Sequence, residues 1–150
     1  MKIVEVNEEN LAQAGRIHSL VWQESHRSFC TPEFVAKHSP EAQTEYLRRE
    51  RVQGKRVWML VDGKPVGIVS VQGSLIENLY VLPGEQNRGY GTRLLRFAMA
   101  QCQGTPALWI LSSNEGALRL YARHGFVKSG RENRLSETLY ELELMYEGEK

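Results

Sequence analysis

KIVEV at 2–6 alternates apolar and polar side chains, the pattern of a strand with one covered face. The period then lengthens. Leu11, Ala14, His18, Val21 and Trp22 recur at three and four, which predicts an amphipathic helix over 8–26 with Trp22 packed in the core. Thr31-Pro32 and Ser39-Pro40 each set a capping hydroxyl before a proline at the first helical position, so a short helix at 32–38 and a longer one at 40–53 should follow. KRVWMLV (55–61) and PVGIVSVQG (65–73), joined by DGKP, read as a hairpin, and SLIENLYVL (74–82) as a further strand beside it.

Beyond a glycine-bearing loop, Leu94, Leu95, Ala98, Met99 and Cys102 trace the buried stripe of another helix. PALWIL (106–111) is a short apolar strand. Asn114 then opens a helix with Ala117, Leu118, Tyr121 and Ala122 on one face and Gly125 as its stop. FVKSGR and LYELELMY close the chain as two strands. Without repeats or linkers, this reads as one α+β domain over 1–150 around a central mixed sheet.

Composition narrows the function rather than the fold. Apolar residues at 41% and charged residues at 25% are ordinary for a packed domain. A net charge of +1 supplies no field that recruits nucleic acid or an anionic membrane, so neither partner is expected. The basic cluster Arg48, Arg49, Arg51, Lys55 and Arg56 stays open as a ligand contact, but reads first as a solvated helix C-terminus, where cations suit the dipole. Cys30 and Cys102 lack metal-ligand spacing, and the four histidines, His18, His26, His38 and His124, form no paired motif, so no metal is expected. MKIVEVNEEN lacks the apolar centre of a signal peptide, and the longest uncharged run, 97–114, contains Gln, Gly, Pro and Ser. A cytoplasmic protein with reduced thiols is the expectation. Ser25-His26 invites a nucleophile reading, which is set aside because sequence neighbours on a helix point apart.

The loop QNRGYG (86–91) carries the most chemistry. A P-loop needs a lysine after its glycines, and none follows at that spacing. A dinucleotide fingerprint needs a third glycine where Leu94 stands, and an acid near 110. What fits is V-x-P-x-x-Q-x-x-G-x-G, running from Val81 to Gly91. This resembles the pyrophosphate loop of the GNAT (N-acetyltransferase) superfamily. A second segment, NEGALRLYARHGF (114–126), resembles that family's N-x-x-A-x-x-L-Y-x-x-x-G-F.

The resemblance implies a GNAT-like fold, a mostly antiparallel sheet of about seven strands flanked by four to five helices. It also implies acetyl-coenzyme A as cosubstrate. Backbone N–H groups around Gly89, Tyr90, Gly91 and Thr92 would face its diphosphate, with Gln86, Asn87 and Arg88 closing over the same anion. Main-chain groups of Leu79, Tyr80 and Val81 would grip the pantetheine arm and supply an oxyanion donor. Asn114 would bond the same arm, and Tyr121 would protonate the departing thiolate. Glu77, on the strand leading to the loop, is the candidate base. The first two helices would wall the acceptor with Trp22, His26, Arg27 and Phe29. Glu24 or Glu77 suits a cationic amine, whereas Arg27 suits an acceptor bearing a carboxylate.

The implied activity is direct acetyl transfer to a primary amine of a small molecule or peptide. Two alternatives stay open: a non-catalytic acetyl-coenzyme A sensor, and a protein N-terminal or lysine acetyltransferase. Homodimerisation is also left open.

Overall fold

The computed structural model describes residues 1–148. Its elements are β1 (Lys2–Glu5), α1 (Leu11–His26), α2 (Pro32–Ala36), α3 (Pro40–Val52), β2 (Arg56–Val61), β3 (Pro65–Gln72), β4 (Leu75–Val81), α4 (Tyr90–Gln101), β5 (Ala107–Leu111), α5 (Glu115–Arg123), β6 (Phe126–Arg134) and β7 (Tyr140–Tyr146). The caps work as their residue types dictate. The Thr31 hydroxyl accepts from the Phe34 N–H at 3.2 Å and the Ser39 hydroxyl from the Ala42 N–H at 3.1 Å. At its start, α1 is shorter than the 8–26 expected, because Asn7 and Asn10 close local turns there; the Asn7 N–H donates to Asn10 Oδ1 at 2.7 Å.

The strands form one sheet in the order β1-β2-β3-β4-β5-β7-β6. Every neighbouring pair is antiparallel except β4 and β5. Central β3 is apolar on consecutive positions because both of its faces are covered. Ile68 joins Ile17, Leu47 and Met59 under α1 and α3, while Val69 joins Leu94, Leu95, Leu108 and Tyr121 under α4 and α5. At Gly67 a Cβ would stand 2.8 Å from the Tyr80 carbonyl oxygen and 2.9 Å from Leu94 Cδ1, so only glycine lets α4 settle this close.

Two features open the sheet. The parallel pair β4–β5 has a single registered pair, Leu75↔Ala107. Beyond it β5 is held along its other edge by β7, from Ala107↔Met145 to Leu111↔Glu141, and cannot follow β4. The strands therefore part. In addition, the β3–β4 register passes from Ser70↔Glu77 to Ile68↔Tyr80, so β4 carries one residue more than β3 over that stretch, a β-bulge.

Candidate active site in the strand gap

Parting of β4 and β5 creates a cleft of about 880 Å³ bounded by Ile76–Val81 on one side and Leu108–Leu111 on the other. The direction of the β4 backbone follows from one hydrogen bond. The Leu82 N–H donates to the Val66 carbonyl at 2.9 Å, toward β3. Alternation along a strand then sends the Tyr80 N–H the same way and turns the main-chain groups of Val81 and Leu79 into the gap. Gln86 agrees: its Nε2 donates to the Val81 carbonyl at 3.4 Å from the loop side. The bulge has a second effect. It puts Glu77 and Asn78, adjacent in sequence, on the same α1/α3 face, where Glu77 meets Lys55 and Asn78 meets His18.

At the mouth of the gap α4 begins. Its N-cap is Gly89, with φ +85 and no capping side chain. A glycine there forgoes only a few tenths of a kcal/mol against a better cap. Full burial of Leu94 and Leu95, about 1.5–3 kcal/mol each, dominates and holds the helix start in place. The N–H groups of Tyr90, Gly91 and Thr92 thus stand at a fixed, uncapped helix N-terminus suited to an anion. The Tyr90 ring points away from it, donating to Asp62 Oδ2 at 2.6 Å. Arg88 is exposed and lies 3.5 Å from Glu85.

On the α4/α5 side, Tyr121 is 7% exposed and lines the gap. No hydrogen bond joins its hydroxyl to a described residue. Burial, with the nearby Tyr80 phenol, pushes its pKa well above the usual tyrosine range. Asn114 caps α5 through Oδ1, which accepts from the Ala117 N–H at 3.1 Å, and its residue borders the same gap.

On the α1/α3 side, Lys55 is 2% exposed and bridges two carboxylates: Glu50 at 2.9 Å and Glu77 at 3.4 Å. Burial alone would lower its pKa; the Glu50 hydrogen bond and the Glu77 charge outweigh burial and raise it. His18 is buried between the Tyr46 and Tyr80 rings. Desolvation first, then the Lys55 charge, lowers its pKa to about 4, so its ring is neutral. Further out, Trp22 is sandwiched between His26 and His38 with ring centroids 3.9 and 3.4 Å away, forming an aromatic shelf in the cleft wall.

The sequence model of the acetyltransferase (GNAT) domain matches residues 53–128, just over half of the chain and all of the gap's β4–α4–β5–α5 frame. The chain belongs to the GNAT acetyltransferase family. Solved structures agree with it in fold. A PaiA N-acetyltransferase from Thermoplasma acidophilum, solved in complex with coenzyme A, is 16% identical with a TM-score of 0.69, covering 97% of this chain and 98% of that one. A GCN5-related N-acetyltransferase from Rhodopseudomonas palustris is 22% identical with a TM-score of 0.73, covering 97% and 94%. A ribosomal-protein-alanine N-acetyltransferase from Brucella melitensis is 16% identical with a TM-score of 0.69, covering 97% and 98%. No curated protein matches the sequence.

Within this GNAT frame the site residues named from sequence divide. Glu77, Leu79, Tyr80, Val81, Gln86, Asn114, Tyr121, Trp22 and His26 border one cleft. Asn87 (φ +65), Arg88, Gly89, Tyr90, Gly91 and Thr92 form the loop and helix start beside it. Phe29 lies in an adjoining groove with Phe34 and Leu135. Arg27 does not reach either; it is exposed and paired with Glu24 at 3.3 Å.

Four expectations need correction. Trp22 is half-buried in the cleft wall rather than in the core, because the two imidazoles cover its faces. Lys55 is not solvated with the arginines near it, because β2 starts by carrying it under Tyr46 and Glu77. Ser25 and His26 do touch, at 2.8 Å, because both side chains fold back onto the Trp22 carbonyl of their own helix. Neighbours on a helix can meet in this way. Finally, β6 extends past FVKSGR to Arg134. His18 and Asn78 are among the cleft residues that the sequence did not mark as part of the site. Their only sequence signals are a histidine on the apolar stripe of α1 and an asparagine inside a strand, both weak. Among the described residues no helix is long and apolar enough to cross a membrane, and no three His, Cys, Asp or Glu side chains cluster to hold a metal ion.

Proposed function

We propose that the protein transfers the acetyl group of acetyl-coenzyme A directly to a primary amine of a small molecule or peptide. The observation that carries this reading is the gap itself. It joins the two faces of the sheet, with the unbonded Tyr121 phenol on one side and the Glu77 carboxylate on the other. The residues fit coenzyme A. The uncapped start of α4 suits a diphosphate, and a Cβ at Gly91 would meet only Leu120 Cδ2 at 3.7 Å, so the protein's own packing leaves that approach open. Bound there, the cosubstrate supplies an activated acyl group on a thiol leaving group.

This chain's residues then have four tasks. The Leu79 and Val81 N–H groups hold the carbonyl oxygen as it gains charge. Glu77 takes a proton from the acceptor ammonium, whose ordinary pKa near 10.4 keeps it charged at neutral pH. Tyr121 gives a proton to the sulfur as the C–S bond breaks. The cleft walls hold both substrates in reach of each other, which contributes several kcal/mol.

Because Arg27 lies outside the cleft, it gives no support to a carboxylate-bearing acceptor. Lys37 and Arg49 border the cleft and could serve such an acceptor instead, so the test spans both classes. A panel of polyamines, amino acids and peptides is incubated with acetyl-coenzyme A, and free thiol is read. Thiol release that depends on at least one primary amine is the expected result. Binding of acetyl-coenzyme A with silence across the panel would replace the enzyme reading with the sensor.

A further inference from the structure

Asn78 sits in the β4 bulge with φ +53, the left-handed region. Its side chain reaches His18, with Nδ2 3.3 Å from His18 Nε2, while its Oδ1 is buried without a partner. On the other side of the ring, His18 Nδ1 lies 2.8 Å from Gln43 Nε2. Two amide nitrogens therefore face one imidazole. A neutral imidazole has one N–H and one lone pair, and cannot accept from both. Amide oxygen and nitrogen are assigned from such networks. Turning either amide over resolves the conflict: the ring then donates to one amide and accepts from the other, Nε2–H to Asn78 Oδ1 with Nδ1 accepting from Gln43, or Nδ1–H to Gln43 Oε1 with Nε2 accepting from Asn78 Nδ2.

We propose that His18 is a positioning residue for acyl transfer: held neutral in a single tautomer, it bridges Gln43 on α3 to Asn78, fixing the bulge that turns the Leu79 N–H into the gap. This rests on the acetyltransferase reading given above. A second polar link runs beside it, from Glu50 on α3 through Lys55 to Glu77, but it ends on Glu77 and not on the left-handed Asn78. The groups around the ring keep it neutral. Lys55, His26 and His38 bear or can bear positive charge toward it, and its other neighbours are the Tyr46 and Tyr80 rings. A neutral ring with a single N–H defines one direction of donation, which an imidazolium would not.

Nitrogen-15 NMR of the histidine rings reads the bridge without any acceptor. The expected result is one neutral tautomer, unchanged from neutral pH down to about pH 5, in contrast to an ordinary histidine, which titrates near 6.5. A mixture of tautomers, or an imidazolium within that range, would overturn the proposal. In His18→Leu, which fills the space without hydrogen bonds, the Leu79 amide resonance should move, and kcat should fall by roughly 10–100-fold with coenzyme A affinity unchanged. His18→Gln returns an amide able to donate or accept near the Nε2 position and should recover most of that loss. Asn78→Gly keeps the left-handed turn but lacks the amide, so it should match His18→Leu, and the double variant should be no slower. An unmoved Leu79 amide, or kcat at the parent value in His18→Leu, contradicts the positioning role. Should no amine be acetylated at all, the intact tautomer together with a moved Leu79 amide separates that failure from a failure of the bridge.

Discussion

Tyr121 combines three properties that a proton donor in this gap needs. It is buried, its hydroxyl has no hydrogen-bond partner among the described residues, and burial holds it protonated well beyond the usual tyrosine range. A phenol with a raised pKa is a weak acid toward water, yet it is matched to a thiolate expelled into a poorly hydrated cleft, whose own basicity desolvation raises. Tyr121→Phe keeps the edge contact with Phe126, ring centroids 5.9 Å apart, so the melting temperature should hardly change. Turnover should fall by roughly 10²–10⁴, the usual share of a general acid, at unchanged coenzyme A affinity. Because the phenol stays protonated beyond the usual tyrosine range, the pH–rate profile should keep its shape in this variant while its height falls. Turnover at the parent rate would make Tyr121 a packing residue and leave water to protonate the sulfur.

The start of α4 separates folding from binding at the scale of one element. Gly91 has an ordinary helical φ and room for a Cβ, so nothing in the folded chain requires glycine there. Gly91→Ala should therefore stabilise the helix by roughly 0.5–1 kcal/mol, the ordinary gain of alanine over glycine, while weakening coenzyme A binding at least tenfold (order of magnitude) by blocking close approach to the diphosphate. Calorimetric melting and titration on the same variant read both. Unchanged affinity would assign Gly91 to helix packing alone.

Elements of this kind were legible from local signals. Thr31, Ser39 and Asn114 cap the helices they were expected to open, and the apolar period of Leu94, Leu95 and Ala98 marks the face of α4 that is buried. What escaped was tertiary. Lys55 reads as a surface cation because its neighbours are arginines; its burial is tolerable because Glu50 hydrogen-bonds it and Glu77 arrives from β4. Asn78 disrupts the alternation of SLIENLYVL without announcing a bulge, and no local pattern tells that His18 on α1 will meet it.

At the scale of the whole molecule, function comes from a sheet that is not closed. Five of its six strand pairings are antiparallel, and the parallel β4–β5 junction, registered only at Leu75↔Ala107, makes the opening. β7 inserts between β5 and β6 and holds β5 away, so the gap is a consequence of strand order rather than of any one residue. The helices then divide the labour: α4 and α5 bring an uncapped helix start and a phenol to one face, α1 and α3 bring imidazoles and aromatic rings to the other. The low identities to solved structures of the same fold fit this, because strand order can persist while the lining changes.

The most direct measurement is a titration of nitrogen-15-labelled protein with acetyl-coenzyme A, followed amide by amide. Leu79 and Val81 in the gap, and Tyr90, Gly91 and Thr92 at the start of α4, should shift together and saturate at one equivalent. Shifts confined to α1 and α2, or no shift at saturating cosubstrate, would contradict the placement of the acyl donor between β4 and β5, and with it the proposed chemistry.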